Sequence, residues 1–439
     1  MSTDTVTEYP ILDNTGNIAE EDHTKNNKNP LHKFMEDKIR SRIRSDLGAF
    51  KYSMQEFTVL ECLLKSNVQY QGFLMRLEIR DGKLFCNNIR DSGPRLAIRP
   101  WIQPKKDAMF RLVKQSLDYM HTKHNKVLGD MIFYIYASDT YPFDFPHIPM
   151  FCMGKPENRN GLLMPDNTFL VHPPDNSSTK KPDLEQFDWD GTRKRSRIYC
   201  ESRGPCTSLD IDMKDKAKAK SDNPCLNKLF FRGGNTSASR GNIRGYLASI
   251  KPNPQLPLQI EIPKPGEGLF MSKVEPVWSF CRYKYLLNLP GGQPWSYRKK
   301  FLFLLKSLTI DVTLIQEFVK GDPNGVYINF FDNLFEAGKD YVQLIYNWTP
   351  VVGKNVKVNT NDFQKLETDL KRVYKYYEDH PDEYTAMVDR CNQKAHLITM
   401  PLVYRSIYSQ LFHFREHVVR DGGPLSLGDL RKHIKESRA

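Results

Sequence analysis

Apolar residues recur at helical spacing in several parts of the chain. The first such segment runs from Phe34 to Phe50, with charged residues between its apolar positions, and Asp107–Lys123 repeats the pattern. The last part of the chain has the same period in Asp362–Tyr377, Asp382–Leu397 and Leu402–Val419. The spacing therefore predicts amphipathic helices near the start of the fold and a helical C-terminus.

Strand patterns lie between these helical segments. Tyr70–Arg80 and Lys83–Asn87 flank an Asp-Gly turn, which predicts a hairpin. Met131–Ala137 is a short continuous apolar run rich in β-branched and aromatic residues. Such a run is typical of a strand buried on both faces of a mainly parallel sheet. Strand and helix patterns alternate again from Asn227 onwards.

The elements together predict an α/β protein in two halves with helices at its end. Residues 1–33 are polar and unpatterned and are predicted to form a flexible tail. An N-terminal domain is predicted over 34–222, with an irregular basic segment at about 157–222. A second domain is predicted over 223–390, followed by C-terminal helices over 391–439.

Composition narrows the classes of protein and partner. The 439 residues include 64 Lys and Arg against 52 Asp and Glu, a net charge of +12, which indicates an anionic partner. The partner could be nucleic acid, a membrane surface or a phosphate-bearing small molecule, and the net charge alone does not choose among them. The apolar runs are far shorter than the ~20 residues of a membrane-spanning helix, and the first thirty residues lack a secretion signal. We therefore expect a cytoplasmic protein without a membrane span.

Cysteines and acidic triplets give little sign of metal or disulfide chemistry. The eight cysteines are scattered without a C-x-x-C pair, and we interpret them as reduced thiols. Asp188-Trp189-Asp190 and Asp210-Ile211-Asp212 are Asp-x-Asp triplets, a pattern that is frequent by chance, so no metal site is expected. The basic runs Arg193–Arg197 and Lys214–Lys220 are interpreted as solvated loops, although contact with nucleic acid or a role in nuclear import stays open.

The most informative local pattern follows the strand predicted around Leu229. A glycine pair comes directly after it and lets backbone amides approach a ligand, and potential helix N-caps come next. This arrangement predicts an anion site, but an ordinary strand-turn-helix connection with solvated arginines fits the spacing equally well. The pattern lacks the dinucleotide fingerprint and the P-loop lysine. The residues that an anion site would use here are Arg232, Gly233, Thr236, Ser237 and Arg240.

Tyr283–Lys300 repeats this order of strand, glycine pair, N-cap and helix. Ser296 is the predicted N-cap. Arg298 lies in the first turn, where a cation opposes the helix dipole, so its presence needs another reason, such as a bound anion. Two such elements in one half favour an anion site more than either does alone. Lys299 and Lys300 are predicted to lie on a solvated helix face.

On these residues the chain resembles glycosyltransferase family 90, the family of the Rumi-type protein O-glucosyltransferases and the fungal capsule xylosyltransferases. The similarity covers about Ile39 to Phe414, nearly the whole patterned region. The stretches that carry it are Ile43–Phe50, Ile132–Pro142, Phe231–Ser237 and Tyr283–Leu305, of which the last two are specific in combination.

The resemblance implies the GT-B fold, in which two Rossmann-like domains face a cleft and the second holds the donor. It implies an inverting, metal-independent transfer from a UDP-sugar, generally UDP-glucose or UDP-xylose, to a hydroxyl of a glycan or protein acceptor, without a cofactor. By resemblance, Asp139 occupies the position of the catalytic base. The glycine-pair segment after Leu229 corresponds to the first donor motif, and Ser296 and Arg298 to the second.

The chain also departs from the family. Asn167 stands where the family usually has Trp, and Thr140 makes the loop after Asp139 one residue longer. The family's secretory signal and disulfide cysteines are missing, which fits a cytoplasmic member, such as one encoded by a large virus. Two alternatives therefore remain: a catalytically inactive relative that binds glycans, and a nucleic-acid-binding protein. The second is not expected, because aromatic residues do not interleave with the basic runs.

Overall fold

The computed structural model describes 30–66, 73–86, 102–138, 148–157, 159–170, 188–203, 225–234, 243–263, 275–291, 296, 298–316, 326–348 and 360–437. The α-helices within those residues are α1 (Pro30–Gly48), α2 (Met54–Ser66), α3 (Ile102–His124), α4 (Trp189–Arg203), α5 (Ile243–Ser249), α6 (Arg298–Leu302), α7 (Thr360–Asp379), α8 (Pro381–Leu397), α9 (Met400–Arg420) and α10 (Leu427–Glu436). The strands are β1 (Leu74–Arg80), β2 (Lys83–Cys86), β3 (Met131–Tyr136), β4 (Phe151–Cys152), β5 (Gly154–Pro156), β6 (Leu162–Leu163), β7 (Leu226–Arg232), β8 (Leu258–Glu261), β9 (Tyr283–Asn288), β10 (Leu308–Gln316), β11 (Tyr327–Asn329) and β12 (Val342–Trp348).

The first half is built on a five-stranded sheet of order β2-β1-β3-β4-β6. The predicted hairpin is confirmed: β1 and β2 pair antiparallel around Asp81, whose φ of 49° gives the turn its left-handed backbone. Strand β3 is buried along its whole length, as predicted. The sheet around it is mixed rather than mainly parallel, because β3 runs antiparallel to β1 and parallel to β4. The apolar run indicated burial on both faces but could not indicate the direction of the partner strands.

The second half is built on a five-stranded sheet of order β8-β7-β9-β10-β12, in which every pairing is parallel. One face packs against α5, α7 and the start of α8, through residues such as Leu247, Leu370 and Met387. The other face packs against Cys200 of α4 and Phe280. Burial on both faces accounts for the continuous apolar stretches in these strands.

The C-terminal helices fold back onto the first half. Helix α9 packs along α3, where the Ser116 hydroxyl donates a hydrogen bond of 2.6 Å to the Tyr404 carbonyl. The ring of Phe414 lies 5.1 Å from Tyr52 and 5.2 Å from Phe151. The α/β organisation and the helical C-terminus are thus confirmed, whereas the predicted limits 34–222, 223–390 and 391–439 stay predictions.

The segment 157–222 is not irregular throughout, because helix α4 lies inside it. The Trp189 side chain is fully buried between the rings of Phe169 and Phe301, and it anchors the start of the helix. Arg193 is buried, and the Arg195 guanidinium lies 5.0 Å from the centre of the Trp278 ring. The prediction that Arg193–Arg197 forms a solvated loop is therefore wrong, since long-range contacts, which local composition does not reveal, order this run.

Three smaller expectations concern the tail, the cysteines and the membrane. Helix α1 already begins at Pro30, inside the predicted tail 1–33, and the rest of that tail lies outside the described residues, as does Lys214–Lys220. Cys225 is disulfide-bonded, which contradicts the interpretation of all the cysteines as reduced thiols. Among the helices that the structure describes, none is both long and apolar enough to cross a membrane.

Candidate functional site

The two glycine pairs singled out in the sequence follow neighbouring strands of the second sheet. The chain passes from β7 outwards to β8 and then returns to form β9 on the other side of β7. Such a reversal is a topological switch point, and open α/β sheets bind ligands outside the carboxyl ends of the two strands that flank it. Gly233 and Gly234 follow β7 directly, and Gly291 begins the pair that follows β9. We take this crevice as the candidate site.

Arg298 reaches from the start of α6 to the end of β7. Its Nη1 donates a hydrogen bond of 2.7 Å to the carbonyl oxygen of Arg232, and its guanidinium lies 5.1 Å from the centre of the Phe231 ring. A Cβ atom at Gly233 would lie 2.7 Å from Nη2 of Arg298. The glycine thus leaves the space that the guanidinium occupies. The Ser296 hydroxyl accepts a hydrogen bond of 3.3 Å from the Arg298 amide, so Ser296 caps this turn as predicted.

Arg244 is a second guanidinium at the crevice, and the sequence analysis missed it. Its side chain donates hydrogen bonds to the carbonyl oxygens of Gly234 and Leu289, the latter at 3.0 Å. Its guanidinium also lies 4.9 Å from the centre of the Phe231 ring, the ring that Arg298 contacts. Arg244 therefore joins the loops that follow β7 and β9. The signal that could have revealed it is a cation in the first turn of a helix, which is the argument already used for Arg298.

The Arg232 side chain takes another direction. Side chains alternate along a strand, so Arg232 follows Phe230 to one face of the sheet, while Phe231 lies on the other. Its guanidinium donates a hydrogen bond to Glu261 and lies 3.7 Å from a carboxylate oxygen of Glu275. The structure therefore brings the carbonyl of Arg232 into contact with Arg298, while the Arg232 guanidinium pairs with Glu261 and Glu275.

The prediction that Lys299 and Lys300 are solvated is wrong, because both side chains are buried. The Lys299 Nζ lies 2.9 Å from Asp332 and 3.3 Å from Asp311. Burial alone would lower the pKa of Lys299, but the two carboxylates outweigh it and hold that pKa well above its usual value. Helix α6 has only five residues, so its dipole is small and the helix terminus predicted here contributes little.

Lys300 joins the second half to the first. Its Nζ donates hydrogen bonds to the Asp166 carboxylate and, at 2.6 Å, to the Thr168 hydroxyl. Asp166 and Thr168 are buried residues of the first half, in the stretch compared above with the family's Trp-containing segment. Burial lowers the pKa of Lys300, although Asp166 opposes the shift. A buried ion pair thus lies between the two halves, two residues from Arg298.

The other predicted site residues lie outside the described residues: Asp139, Thr236, Ser237 and Arg240. Asp139 is the next residue after Ser138, which is buried just beyond the end of β3. Asp190 of the first Asp-x-Asp triplet pairs with Arg193 at 3.2 Å, and the second triplet is not described. Within the part of the chain that the structure describes, no three His, Cys, Asp or Glu side chains are grouped as metal ligands.

No known family model matches the chain, and no curated protein is significantly similar to it.

Proposed function

We propose that the protein is an inverting glycosyltransferase that moves glucose or xylose from a UDP-sugar to a hydroxyl of a glycan or protein acceptor without a metal ion. The observation that carries the proposal is the hydrogen bond from Arg298 to the Arg232 carbonyl, beside Gly233, at the switch point of a parallel sheet. This is the position where such sheets bind nucleotides, and the motifs that form it are the two donor motifs of the resemblance.

The charge at the crevice suits a diphosphate. Arg298 and Arg244 have their guanidinium groups within about 5 Å of the same Phe231 ring. The carbonyl oxygens that they contact orient the guanidinium planes but do not cancel their formal charge. A planar guanidinium can give two parallel hydrogen bonds to a phosphate, which makes arginine well suited to a diphosphate. Gly233 has no Cβ that would displace the Arg298 guanidinium from this position.

The proposed reaction needs one base and an anion-stabilising group. Asp139 takes the proton of the acceptor hydroxyl as its oxygen attacks the anomeric carbon from the face opposite UDP. The bond from the anomeric carbon to the diphosphate oxygen breaks, and UDP leaves with its charge stabilised by Arg298. We propose that the two halves form a GT-B arrangement, with the acceptor held by the first half. Asp139 follows a strand of the first half. Lys300, in the donor-binding half, contacts the first half through its hydrogen bond to Asp166.

The test is UDP release from a panel of UDP-sugars, measured with purified wild-type protein and with Asp139→Asn. We expect turnover or slow hydrolysis with UDP-glucose or UDP-xylose, and a loss of at least a hundredfold in the variant. Asp118→Asn is the matched control, because Asp118 is an exposed partner of Lys114 on α3 and should leave the rate unchanged. UDP release from no donor, or an unchanged rate in Asp139→Asn, would contradict the proposal.

Binding measurements made beside this assay separate the two alternatives. A catalytically inactive relative would bind UDP and release none from any donor. A nucleic-acid-binding protein would bind RNA or DNA with an affinity that falls steeply with salt. Of the basic run on α4, only Lys194 and Arg197 are exposed, so this run offers little surface for such a contact.

A further inference from the structure

The carboxylate of Glu261 lies at the carboxyl end of β8, next to the candidate site. Strands β7 and β8 are connected through α5 and pair in parallel, and Arg232 and Glu261 are partners in the register. The Gly233 amide extends this ladder by donating a hydrogen bond of 3.0 Å to the Glu261 carbonyl. Glu261 is therefore one strand away from the glycine against which Arg298 packs.

This position has a known chemical use in parallel nucleotide-binding sheets. When the diphosphate lies after the first strand of a βαβ unit, an acidic residue at the end of the second strand accepts hydrogen bonds from the ribose hydroxyls. Here β7 is the first strand and β8 the second, and β8 is on the side of β7 away from the switch point. The topology thus places Glu261 where the ribose of a nucleotide would lie.

The Glu261 carboxylate is held in place and keeps acceptor capacity. Its Oε1 accepts a hydrogen bond of 2.8 Å from the Gln259 side chain, and its Oε2 accepts one from Arg232. Gln259 is fixed in turn by the Tyr283 hydroxyl, at 2.9 Å. A carboxylate has about four acceptor positions, so about two remain for a vicinal diol. The side chain is 27% exposed, which leaves a ligand access to it.

We propose that Glu261 binds the ribose 2′- and 3′-hydroxyls of the nucleotide whose diphosphate lies against Arg298. The inference rests on the proposed nucleotide-sugar function and adds a ribose subsite to it. The Arg232 side chain then acts as the group that orients this carboxylate, which accounts for its pairing on the face away from Arg298.

The test compares UDP with 2′,3′-dideoxy-UDP in calorimetric titrations of the wild type, Glu261→Gln and Glu275→Gln. We expect the wild type to bind UDP about 10- to 100-fold more tightly than the dideoxy analogue, because charge-assisted hydrogen bonds are lost. The preference should fall to about twofold or less in Glu261→Gln. Glu275→Gln is the matched control, since Glu275 also contacts Arg232, and it should keep the preference.

The outcomes are distinct. Equal binding of both nucleotides by the wild type, or a preference that survives in Glu261→Gln, overturns the ribose subsite and leaves the proposed function standing. Failure of the wild type to bind either nucleotide overturns the proposed function and the subsite with it. Thermal unfolding shows whether Glu261→Gln is folded, and if it is not, Glu261→Asp, which shortens the carboxylate's reach, is expected to reduce the preference in its place.

Discussion

Replacing Gly233 by Ala tests the contact on which the candidate site is built. The new Cβ would lie 2.7 Å and 2.9 Å from the two terminal guanidinium nitrogens of Arg298, and 3.0 Å from Cζ of Phe231. Cβ contacts shorter than 3.0 Å are essentially never observed in proteins, so the guanidinium has to move. Because it is the far end of a flexible side chain, we expect the free energy of unfolding to change by no more than about 1 kcal/mol.

The effect on ligand binding should be larger. If Arg298 gives a charge-assisted hydrogen bond to a phosphate, its displacement costs about 1.5–3 kcal/mol of binding free energy, which raises the Kd for UDP by about 10- to 150-fold. Calorimetric titration with UDP measures this loss, and thermal unfolding confirms that the variant is folded. Gly48→Ala is the control, because no atom lies within 4 Å of a Cβ at that position. A folded Gly233→Ala protein that binds UDP within twofold of the wild type would refute the role of Arg298.

Two further predictions concern stability. Burial, with Arg197 and Arg193 nearby, lowers the pKa of His396 from 6.5 to about 4. Between pH 6.5 and about pH 4 the histidine is therefore protonated in the unfolded state but neutral in the folded state. The free energy of unfolding consequently falls as the pH drops below 6.5. We expect urea unfolding to show that this histidine lowers the free energy of unfolding by about 2 kcal/mol when the pH falls from about 7.5 to about 5. His396→Gln should reduce the pH dependence of the unfolding free energy, and an unchanged pH dependence in that variant would contradict this account. Lys300→Met should lower the unfolding free energy by about 3 kcal/mol because it leaves Asp166 charged and buried, and adding Asp166→Asn should recover part of the loss; no recovery would show that the stranded charge is not the cause.

Local patterns revealed the elements but not what they pack against. The hairpin at Asp81 and the buried strand Met131–Tyr136 were predictable because turn residues and apolar runs act within a few positions. The same holds for the glycine pair after β7, whose position at a strand end follows from its neighbours. Helix α4 was missed because its order depends on Trp189 packing against distant residues.

The candidate site shows the same division. Arg298 was found because a cation in the first turn of a helix needs a reason, and Arg244 could have been found in the same way. The burial of Lys299 and Lys300 could not, because their carboxylate partners come from other strands and from the other half of the chain. The partner of the Arg232 side chain could not be predicted either, because it depends on which strand pairs with β7, and that strand, β8, brings Glu261 beside it.

The most direct test of the account is a crystal structure of the protein with UDP-xylose or UDP-glucose. The account predicts that the diphosphate lies at the carboxyl ends of β7 and β9, with phosphate oxygens within hydrogen-bond distance of Arg298 and of the Gly234 backbone amide. The sugar should face the segment that begins at Asp139. A nucleotide bound elsewhere, or no bound nucleotide at millimolar concentration, would contradict it.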